Sequence, residues 1–411
     1  MERTTPKLQA DTSLFIAETT VTKFSLVLKM NENIAITEGS DRAGSLLAAI
    51  LTAALYYARS FDAFAHPQFW AEDGTLLWLQ QYLQGHRAIF LPYAGYLHVP
   101  QGLAAAIAAL FDPSHAPTLY AWFALLFVVW GAFSVAIAVP NATLGFLLGA
   151  SLSLAPHPGG EIFGNLINLQ WFLGPALAAV LCGTIPLSRF GLGNQIGFVV
   201  LAGLSGPFAA MLLPVAVFRF VRSRHWLFAV AIAAGVLNLI LILLLSPPVQ
   251  RIAEPDTLHL IEMALMRCAA ASVEGAIAAA VLIIASLVVV EGRLFRIGIL
   301  LFALVVIIGT IAKFRYYPHA FDSPYAGQRY FYIPQLVLLW CAISLCFSGS
   351  HPRLIAIAAL VIFFSLYRAE YFWKSPLPDQ HWATYAEHIG KQDLTVPVNP
   401  GWSMRVPANP P

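Results

Sequence analysis

Apolar runs and short polar turns alternate along the chain from residue 43 to residue 367. A helix needs about 20 apolar residues to cross a hydrocarbon core of about 30 Å. Runs of about that length include Thr118–Val139 and Leu227–Leu245. Because only structures that satisfy their own backbone hydrogen bonds can span a bilayer, the pattern predicts an all-α, polytopic membrane protein with about 11 transmembrane helices and outward-facing loop helices.

Two features interrupt the series of long runs. Val99–Leu110 has roughly twelve apolar residues, fewer than the ~17 needed to cross, and is predicted to be a re-entrant or surface helix. Further along, the half-length runs Gln195–Leu204 and Pro207–Phe220 meet at Ser205-Gly206-Pro207. Since glycine and proline together interrupt regular structure, we expect two half-helices that meet at a turn.

Lys and Arg in short loops predict the orientation, because cytoplasmic loops carry an excess of them. The richest cluster is Arg219, Arg222 and Arg224. Counting spans from this cluster places the N-terminus in the cytoplasm, and the His157–Asn165 loop and the C-terminus outside. If Val99–Leu110 does cross the membrane, that loop lies in the cytoplasm instead. The expected location is an inner (plasma) membrane.

The same pattern divides the chain into three segments. Residues 1–41 are polar and lack the apolar core that a secretory signal places near its start. We expect them to form a disordered cytoplasmic tail, with Met30 as an alternative start. Residues 42–368 form the predicted transmembrane domain, and residues 369–411 a periplasmic C-terminal tail.

Composition agrees with the membrane class and excludes others. The chain of 411 residues is 59% hydrophobic and 11% charged, whereas soluble domains carry about 25% charged residues. A net charge of +2 gives no reason to expect a nucleic-acid partner. The four cysteines lie in or beside apolar runs and have neither metal-ligand nor disulfide-framework spacing.

The first candidate chemistry follows the first apolar run, in the segment Trp70-Ala71-Glu72-Asp73-Gly74. Ionisable residues at membrane depth are costly and indicate a functional site by default. Tyr93, Tyr96 and His98 follow as candidate substrate-binding residues. The alternative for Asp73 is a structural N-cap of the next helix, and capping does not exclude a chemical role.

Two further groups share the predicted outer face. One is His157 with Glu161, in a glycine-containing loop that needs no charge for its structure. The other contains Lys313, Arg315 and Arg329 beside Tyr330, at the ends of two consecutive apolar runs. Outward cations oppose the usual charge bias, and guanidinium groups match phosphate geometry. The alternative is that these cations extend to lipid headgroups or pair with Asp322.

These residues resemble the GT-C superfamily of glycosyltransferases, which includes protein O-mannosyltransferases and lipid A aminoarabinose transferases. The family has an acidic pair in its first outward loop, where Glu72-Asp73 stands, and a second outward acid that Glu161 matches by position. Its half-length helices meet at a Gly-Pro turn, which Ser205-Gly206-Pro207 resembles, although related enzymes often have lysine where Ser205 stands. The segments around Trp70, Tyr93–His98 and Gly327–Phe331 also resemble a bacterial membrane-protein family of this architecture.

The resemblance implies a membrane glycosyltransferase that moves a hexosyl or pentosyl group from a polyprenyl-phosphate donor to a lipid or glycan acceptor of the cell envelope. Its catalytic residues would be Asp73, Glu72 and Glu161, and its donor phosphate would bind Arg315, Arg329 and Lys313. His98, Tyr93, Tyr96, His157 and Tyr330 would bind substrate. No cofactor is certain, and a divalent cation is compatible with the acids.

Two other classes compete with this interpretation. A transporter or flippase of lipid-linked saccharides would have inverted repeats and charges within its spans, and neither is evident in the sequence. A non-catalytic envelope assembly protein would tolerate the loss of Asp73. Clustering of the charges on the outer face favours the transferase.

Overall fold

The computed structural model describes residues 42–155, 161–248, 251, 253–323, 327–366 and 372–409. The expected cytoplasmic tail, residues 1–41, and His157 lie outside the described residues. The described chain is mostly helical, as the apolar pattern predicts, and adds one two-stranded antiparallel sheet near the C-terminus.

Seventeen α-helices occur in the described ranges, joined by short 3-10 and π-helical turns. In chain order they are α1 (Arg42–Arg59), α2 (Phe61–Ala65), α3 (Leu79–Gln84), α4 (Val99–Ala108), α5 (Ala116–Ile137), α6 (Ala142–Ala150), α7 (Gln170–Cys182), α8 (Arg189–Gly203), α9 (Phe208–Met211), α10 (Leu213–Ser223), α11 (Trp226–Leu245), α12 (Thr257–Cys268), α13 (Val273–Val288), α14 (Arg293–Phe314), α15 (Arg329–Leu345), α16 (Ser350–Leu366) and α17 (Trp382–Ala386).

Three helices of the described chain are long and apolar enough to cross a membrane: α5 with its preceding turn, α11 and α14. The pair α12 and α13 passes the same test together but bends by 79° at its break. The remaining apolar helices, such as α15 with 17 residues, reach only about 25 Å at about 1.5 Å per residue. The expected count of about 11 spans is therefore not confirmed, because several apolar runs form helices shorter than the runs themselves.

The core of the bundle forms around α15, most of whose side chains are buried. Trp340 donates to the Leu148 carbonyl at 3.1 Å, and Tyr332 donates to the Leu152 carbonyl at 2.5 Å. Leu148 lies in the last turn of α6, whose final carbonyls have no partner within the helix, and Leu152 follows the end of α6 at Ala150. α15 thus fixes the segment that leads towards Glu161.

Arg59, at the end of α1, is a buried cation with several partners. Its Nη1 donates to the Ser153 and Ala155 carbonyls at 2.8 and 3.0 Å, and its Nε donates to the Phe372 carbonyl at 2.9 Å. Its guanidinium also lies over the Phe372 ring, 3.8 Å from the centroid. A buried charge is tolerated when it is hydrogen-bonded in this way, and Arg59 therefore joins α1 to the C-terminal tail.

The tail, defined as residues 372–409, packs on the loop segments after α1. It contains α17 and a hairpin of β1 (Leu394–Val398) and β2 (Trp402–Val406), paired in antiparallel register from Leu394 with Val406 to Val398 with Trp402. The Ala71 amide donates to the Asn399 carbonyl at 2.5 Å. The hairpin departs from the all-α expectation and lies against the segment that carries the first acidic pair.

Trp382 is the main apolar anchor of the tail, and its removal is expected to destabilise the protein. Its ring lies 4.7 Å from Phe69 and 5.1 Å from Trp78, and the residue is only 5% exposed. Trp382→Ala should lower the free energy of unfolding by about 3–5 kcal/mol, as for other buried tryptophans. The measurement is thermal unfolding in detergent. Trp402→Ala is the matched control: Trp402 is 48% exposed, so it should change stability by at most about 0.5 kcal/mol. Equal losses in both variants would contradict the anchoring role.

Candidate functional site

Asp73 joins two loops that are far apart in the sequence. Its Oδ1 accepts from the Ile167 amide at 2.7 Å, and its Oδ2 accepts from the Leu166 amide at 3.0 Å. These amides begin the 3-10 turn Ile167–Leu169 that leads into α7, where unpaired N–H groups favour an acid. Asp73 also starts its own π-helical turn, Asp73–Trp78. It therefore caps α7 from a distance and not the helix that follows it in sequence.

Burial raises the pKa of the Asp73 carboxyl to about 7, although the Leu166 and Ile167 amides act in the opposite direction. Lys374 of the tail also favours the ionised form. The ammonium of Lys374 donates to the Phe163 carbonyl at 2.6 Å, and its burial lowers its pKa to about 8. The Asp73 carboxyl and the Lys374 ammonium are therefore two buried ionisable groups that both contact the loop carrying Glu161.

Glu72 and Glu161 converge on Arg329. The Arg329 Nη1 lies 3.9 Å from Glu72 Oε1 and 3.5 Å from Glu161 Oε1, and the Arg329 amide donates to Glu161 Oε2 at 3.2 Å. Their side chains are 27% (Arg329), 10% (Glu72) and 21% (Glu161) exposed. Two carboxylates and one guanidinium from three separate segments therefore meet at a partly solvent-accessible point.

An aromatic wall lies beside this charged group. The ring centroids of Tyr93 and Tyr96 lie 6.0 and 5.1 Å from that of His98, and Trp171 meets Tyr330 edge-on at 5.2 Å. Tyr93 interacts electrostatically with both Glu72 and Arg329. The wall and the charged group therefore belong to one site.

Several polar atoms in this wall are buried without a hydrogen-bond partner among the described residues. They are both ring nitrogens of His98, Oε1 of Gln170 and Nε1 of Trp171. Burial also lowers the pKa of His98 to about 4, so its imidazole is neutral at physiological pH. Buried unpaired polar atoms are costly, and a neutral imidazole can both donate and accept. These atoms are suited to bind the hydroxyl groups of a ligand.

The Ser205-Gly206-Pro207 turn and the residue before it are hydrogen-bonded to the chain on both sides of His98. The Gly206 amide donates to the Leu97 carbonyl at 2.9 Å, and the Val99 amide donates to the Leu204 carbonyl at 3.0 Å. Gly206 has φ of +79°, and a Cβ there would collide with the Gln170 side chain, so glycine is required. The structure places a turn between α8 and α9, where the half-helix pattern predicts one, and shows that it positions His98.

The other predicted site residues are placed differently. The Lys313 ammonium donates to the Tyr330 hydroxyl at 2.6 Å and so lies beside the charged group. Arg315 is exposed, and its guanidinium lies over the Tyr316 ring, 4.9 Å from the centroid. His157 lies outside the described residues. In the described part of the chain, the side chains grouped closely enough for a metal ion lie elsewhere, at His259, His319 and Asp322.

Three residues of the site were not identified from the sequence: Lys374, Gln170 and Trp171. Lys374 lies in a tail whose packing the apolar pattern does not predict. Gln170 and Trp171 stand in an apolar run that favours a buried helix. A polar Gln170 within that run is the one signal that could have marked it, because buried polar side chains need partners.

Comparisons with models of protein families, with curated proteins and with solved structures find no match. The site and fold define a largely helical protein with helices able to cross a membrane and a cluster of acids, cations and aromatic rings at the ends of several helices. The resemblance to the GT-C superfamily stays a prediction. Function has to be argued from the chemistry of the site itself.

Asp73→Asn is expected to change both the stability and its pH dependence. An amide offers one acceptor oxygen where the carboxylate offers two, so one backbone amide loses its partner at about 1–3 kcal/mol. In the wild type the folded carboxyl has a pKa of about 7 against 3.8 for an ordinary aspartate. Between those values only the unfolded state releases the proton, so the free energy of unfolding falls as the pH rises.

The test is thermal unfolding in detergent between about pH 4 and about pH 7, the window set by these two pKa values. The variant should be less stable than the wild type near pH 4 and should lose the fall in stability that Asp73 causes as the pH rises. What remains is the opposite contribution of His98, whose pKa of about 4 lies below its ordinary value, so the stability of the variant should rise with pH relative to the wild type. Lys374 titrates above this window. Glu387→Gln, at an exposed position, should keep the wild-type profile. A wild-type slope in Asp73→Asn would exclude Asp73 as the group responsible.

Proposed function

We propose that the chain is an integral membrane glycosyltransferase that moves a sugar from a polyprenyl-phosphate donor to a lipid or glycan acceptor of the cell envelope. The observation that carries the proposal is the meeting of Glu72, Glu161 and Arg329 at one partly accessible point. Glycosyl transfer by direct displacement needs a carboxylate to accept the proton of the attacking hydroxyl and a cation to stabilise the leaving phosphate. The three residues supply both groups.

The reaction exchanges one bond at the anomeric carbon. The acceptor hydroxyl oxygen attacks that carbon, its proton passes to a carboxylate, and the bond to the phosphate oxygen breaks. The electron pair of that bond leaves with polyprenyl phosphate, next to Arg329 and Lys313. A single displacement of this kind inverts the anomeric configuration. No cofactor is needed for this proton and charge balance, and a divalent cation remains compatible with it.

The acids divide into two roles. Both oxygens of Asp73 accept backbone amides, and the residue is only 2% exposed, so its contacts suit a positioning residue that holds the loop of Glu161. Glu72 and Glu161 are more accessible and are the candidates for the base. Both lie beside the Arg329 guanidinium, and a positioned carboxylate is able to accept the proton of an attacking hydroxyl.

The aromatic wall is the proposed sugar-binding surface. Tyr93, Tyr96 and Tyr330 present rings of the kind that combine apolar faces with a polar tip. The unpartnered nitrogens of His98, together with Gln170 and Trp171, would bind sugar hydroxyls. Lys313 fixes the Tyr330 hydroxyl at 2.6 Å. Donor phosphate and sugar would then occupy adjoining parts of one site.

The proposed location is a bacterial inner membrane, with the N-terminus in the cytoplasm, the site on the periplasmic face and about 11 spans in a GT-C-like arrangement. Support comes from α7, which begins next to the Asp73 contacts and ends at Cys182, directly before Gly183. The Gly183 carbonyl accepts from Arg219 Nη2 at 2.6 Å. The arginine cluster and the site therefore lie towards opposite ends of α7, as the predicted orientation requires.

Replacing the accessible acids tests the proposed chemistry. Glu72→Gln and Glu161→Gln keep the side-chain shape and remove the base, which typically contributes about 10²–10⁴-fold to rate. The variant that lacks the base should lose at least about 100-fold in transfer of radiolabelled sugar in proteoliposomes. Glu387→Gln is the matched control and should retain full activity. Lipid-linked sugars that accumulate in a deletion strain would identify the donor to be supplied.

The same assay separates the proposal from its alternatives. A flippase would move lipid-linked saccharide between leaflets without forming a new glycosidic bond, and an assembly protein would do neither. Wild-type transfer in both acid variants would remove Glu72 and Glu161 from the mechanism. Transport without transfer by the wild type would assign the flippase function.

Donor affinity tests the cationic part of the site. Charge-assisted contacts are worth roughly 1.5–3 kcal/mol each, so Arg329→Ala should weaken polyprenyl-phosphate-sugar binding in nanodiscs by about ten-fold to a hundred-fold. Arg329→Lys should recover only part, because lysine lacks the planar fork. Arg315→Ala should cost less than about five-fold, since exposed charges contribute under about 1 kcal/mol.

Arg405→Ala, exposed on β2, is the neutral control for the arginine series. A larger loss in Arg315→Ala than in Arg329→Ala would move the donor phosphate to the exposed loop after α14. Unchanged donor affinity in both variants would show that neither arginine binds the donor phosphate. The alternative, that these cations contact lipid headgroups, would then be favoured.

A further inference from the structure

His259, His319 and Asp322 form a compact cluster away from the acidic site. The Nε2 of His259 lies 2.7 Å from Asp322 Oδ1, and the Nδ1 of His319 lies 2.8 Å from Asp322 Oδ2. One ligand atom from each residue lies within 4.8 Å of the others. We propose that this cluster is a divalent metal site of the zinc class, with two imidazole nitrogens and one carboxylate as protein ligands.

The elements that carry the cluster are held together independently of it. His259 lies on α12, and His319 and Asp322 lie in the segment after α14. Arg267, at the end of α12, donates to the Phe321 and Ser323 carbonyls at 3.1 and 2.8 Å. These bonds fix the chain on both sides of Asp322, so the three ligands are brought together before any ion binds. Preorganisation of this kind lowers the cost of binding.

The ligand chemistry favours zinc over calcium or magnesium. Imidazole nitrogen suits zinc and related transition metals, whereas calcium and magnesium prefer oxygen. A tetrahedral zinc ion with bonds of about 2.0–2.2 Å holds its ligands roughly 3–4 Å apart, which small rotations of these side chains provide. Asp256, the residue before α12, and Glu262 of α12 add negative charge around His259.

The site is open to solvent. The exposed fractions of the side chains are 31% for His259, 77% for His319 and 43% for Asp322. Three protein ligands leave a position for water on the exposed side, as zinc sites with an open position do. The ion would tie α12 to the segment between α14 and α15, and α15 begins with Arg329. It would therefore brace the segment that precedes the Arg329 contact.

Metal binding to the purified, full chain in detergent tests the proposal. After treatment with a chelator, equilibrium dialysis should give one Zn²⁺ per chain, and Co²⁺ should give a visible absorption band of a site with nitrogen and oxygen ligands. His259→Ala, His319→Ala and Asp322→Asn should each weaken Zn²⁺ binding at least about ten-fold, since even indirect partners of metal ligands cost that much. His351→Ala, at an exposed position on α16, should bind as the wild type does.

His319→Ala is the most direct test of the metal site. The His319 side chain is 77% exposed, so its loss leaves the packing of the bundle intact. Unchanged Zn²⁺ affinity in that variant, or less than one ion per wild-type chain, would overturn the proposal. The cluster would then be a hydrogen-bonded link between α12 and the following segment only. These measurements do not involve sugar transfer, so their result tests the metal site independently of the proposed glycosyltransferase function.

Discussion

The arrangement of the whole candidate site depends on one buried carboxylate. Asp73 accepts the first backbone amides of the turn before α7 and so fixes the loop after α2 against the loop that carries Glu161. Removing an acid from water costs several kcal/mol unless hydrogen bonds compensate. The compensation here comes from two amides that the start of a helix leaves unpaired. One contact therefore satisfies both the acid and the helix end, and the neighbouring Glu72 is oriented as a result.

The charges above this contact are nearly balanced. Glu72 and Glu161 share Arg329 at separations of 3.9 and 3.5 Å, which is longer than a close two-point guanidinium–carboxylate pair. A guanidinium held loosely between two acids keeps donors that can turn towards an anionic ligand. Lys313 adds a second cation through the Tyr330 hydroxyl. In the proposed function, the donor phosphate would then bind without first breaking a tight ion pair.

Local patterns predicted a mostly helical protein but not the number of spans, and long-range contacts explain part of the difference. The apolar runs predicted α5 and α11 nearly complete, because the length and composition of such a helix can be read from consecutive residues. At the end of α6 the Leu148 carbonyl accepts from Trp340 of α15, a contact with a residue far along the chain. The Glu161–Arg329 contact joins residues 168 positions apart, which no periodicity encodes. The acidic pair was recognisable because charge is rare in such a chain, whereas Lys374 and the hairpin looked like an ordinary polar tail.

The position of the tail has a consequence for how the protein is made. Lys374 and Asn399 complete contacts with Phe163 and Ala71, which belong to segments synthesised much earlier. Domains in general form while the ribosome is still extending the chain. In this protein the first acidic pair would stay partly uncovered until residues 372–409 have been translated and have packed against it. Completion of the acidic site therefore depends on a segment that is made long after the pair itself, so a chain truncated before residue 372 would lack a finished site.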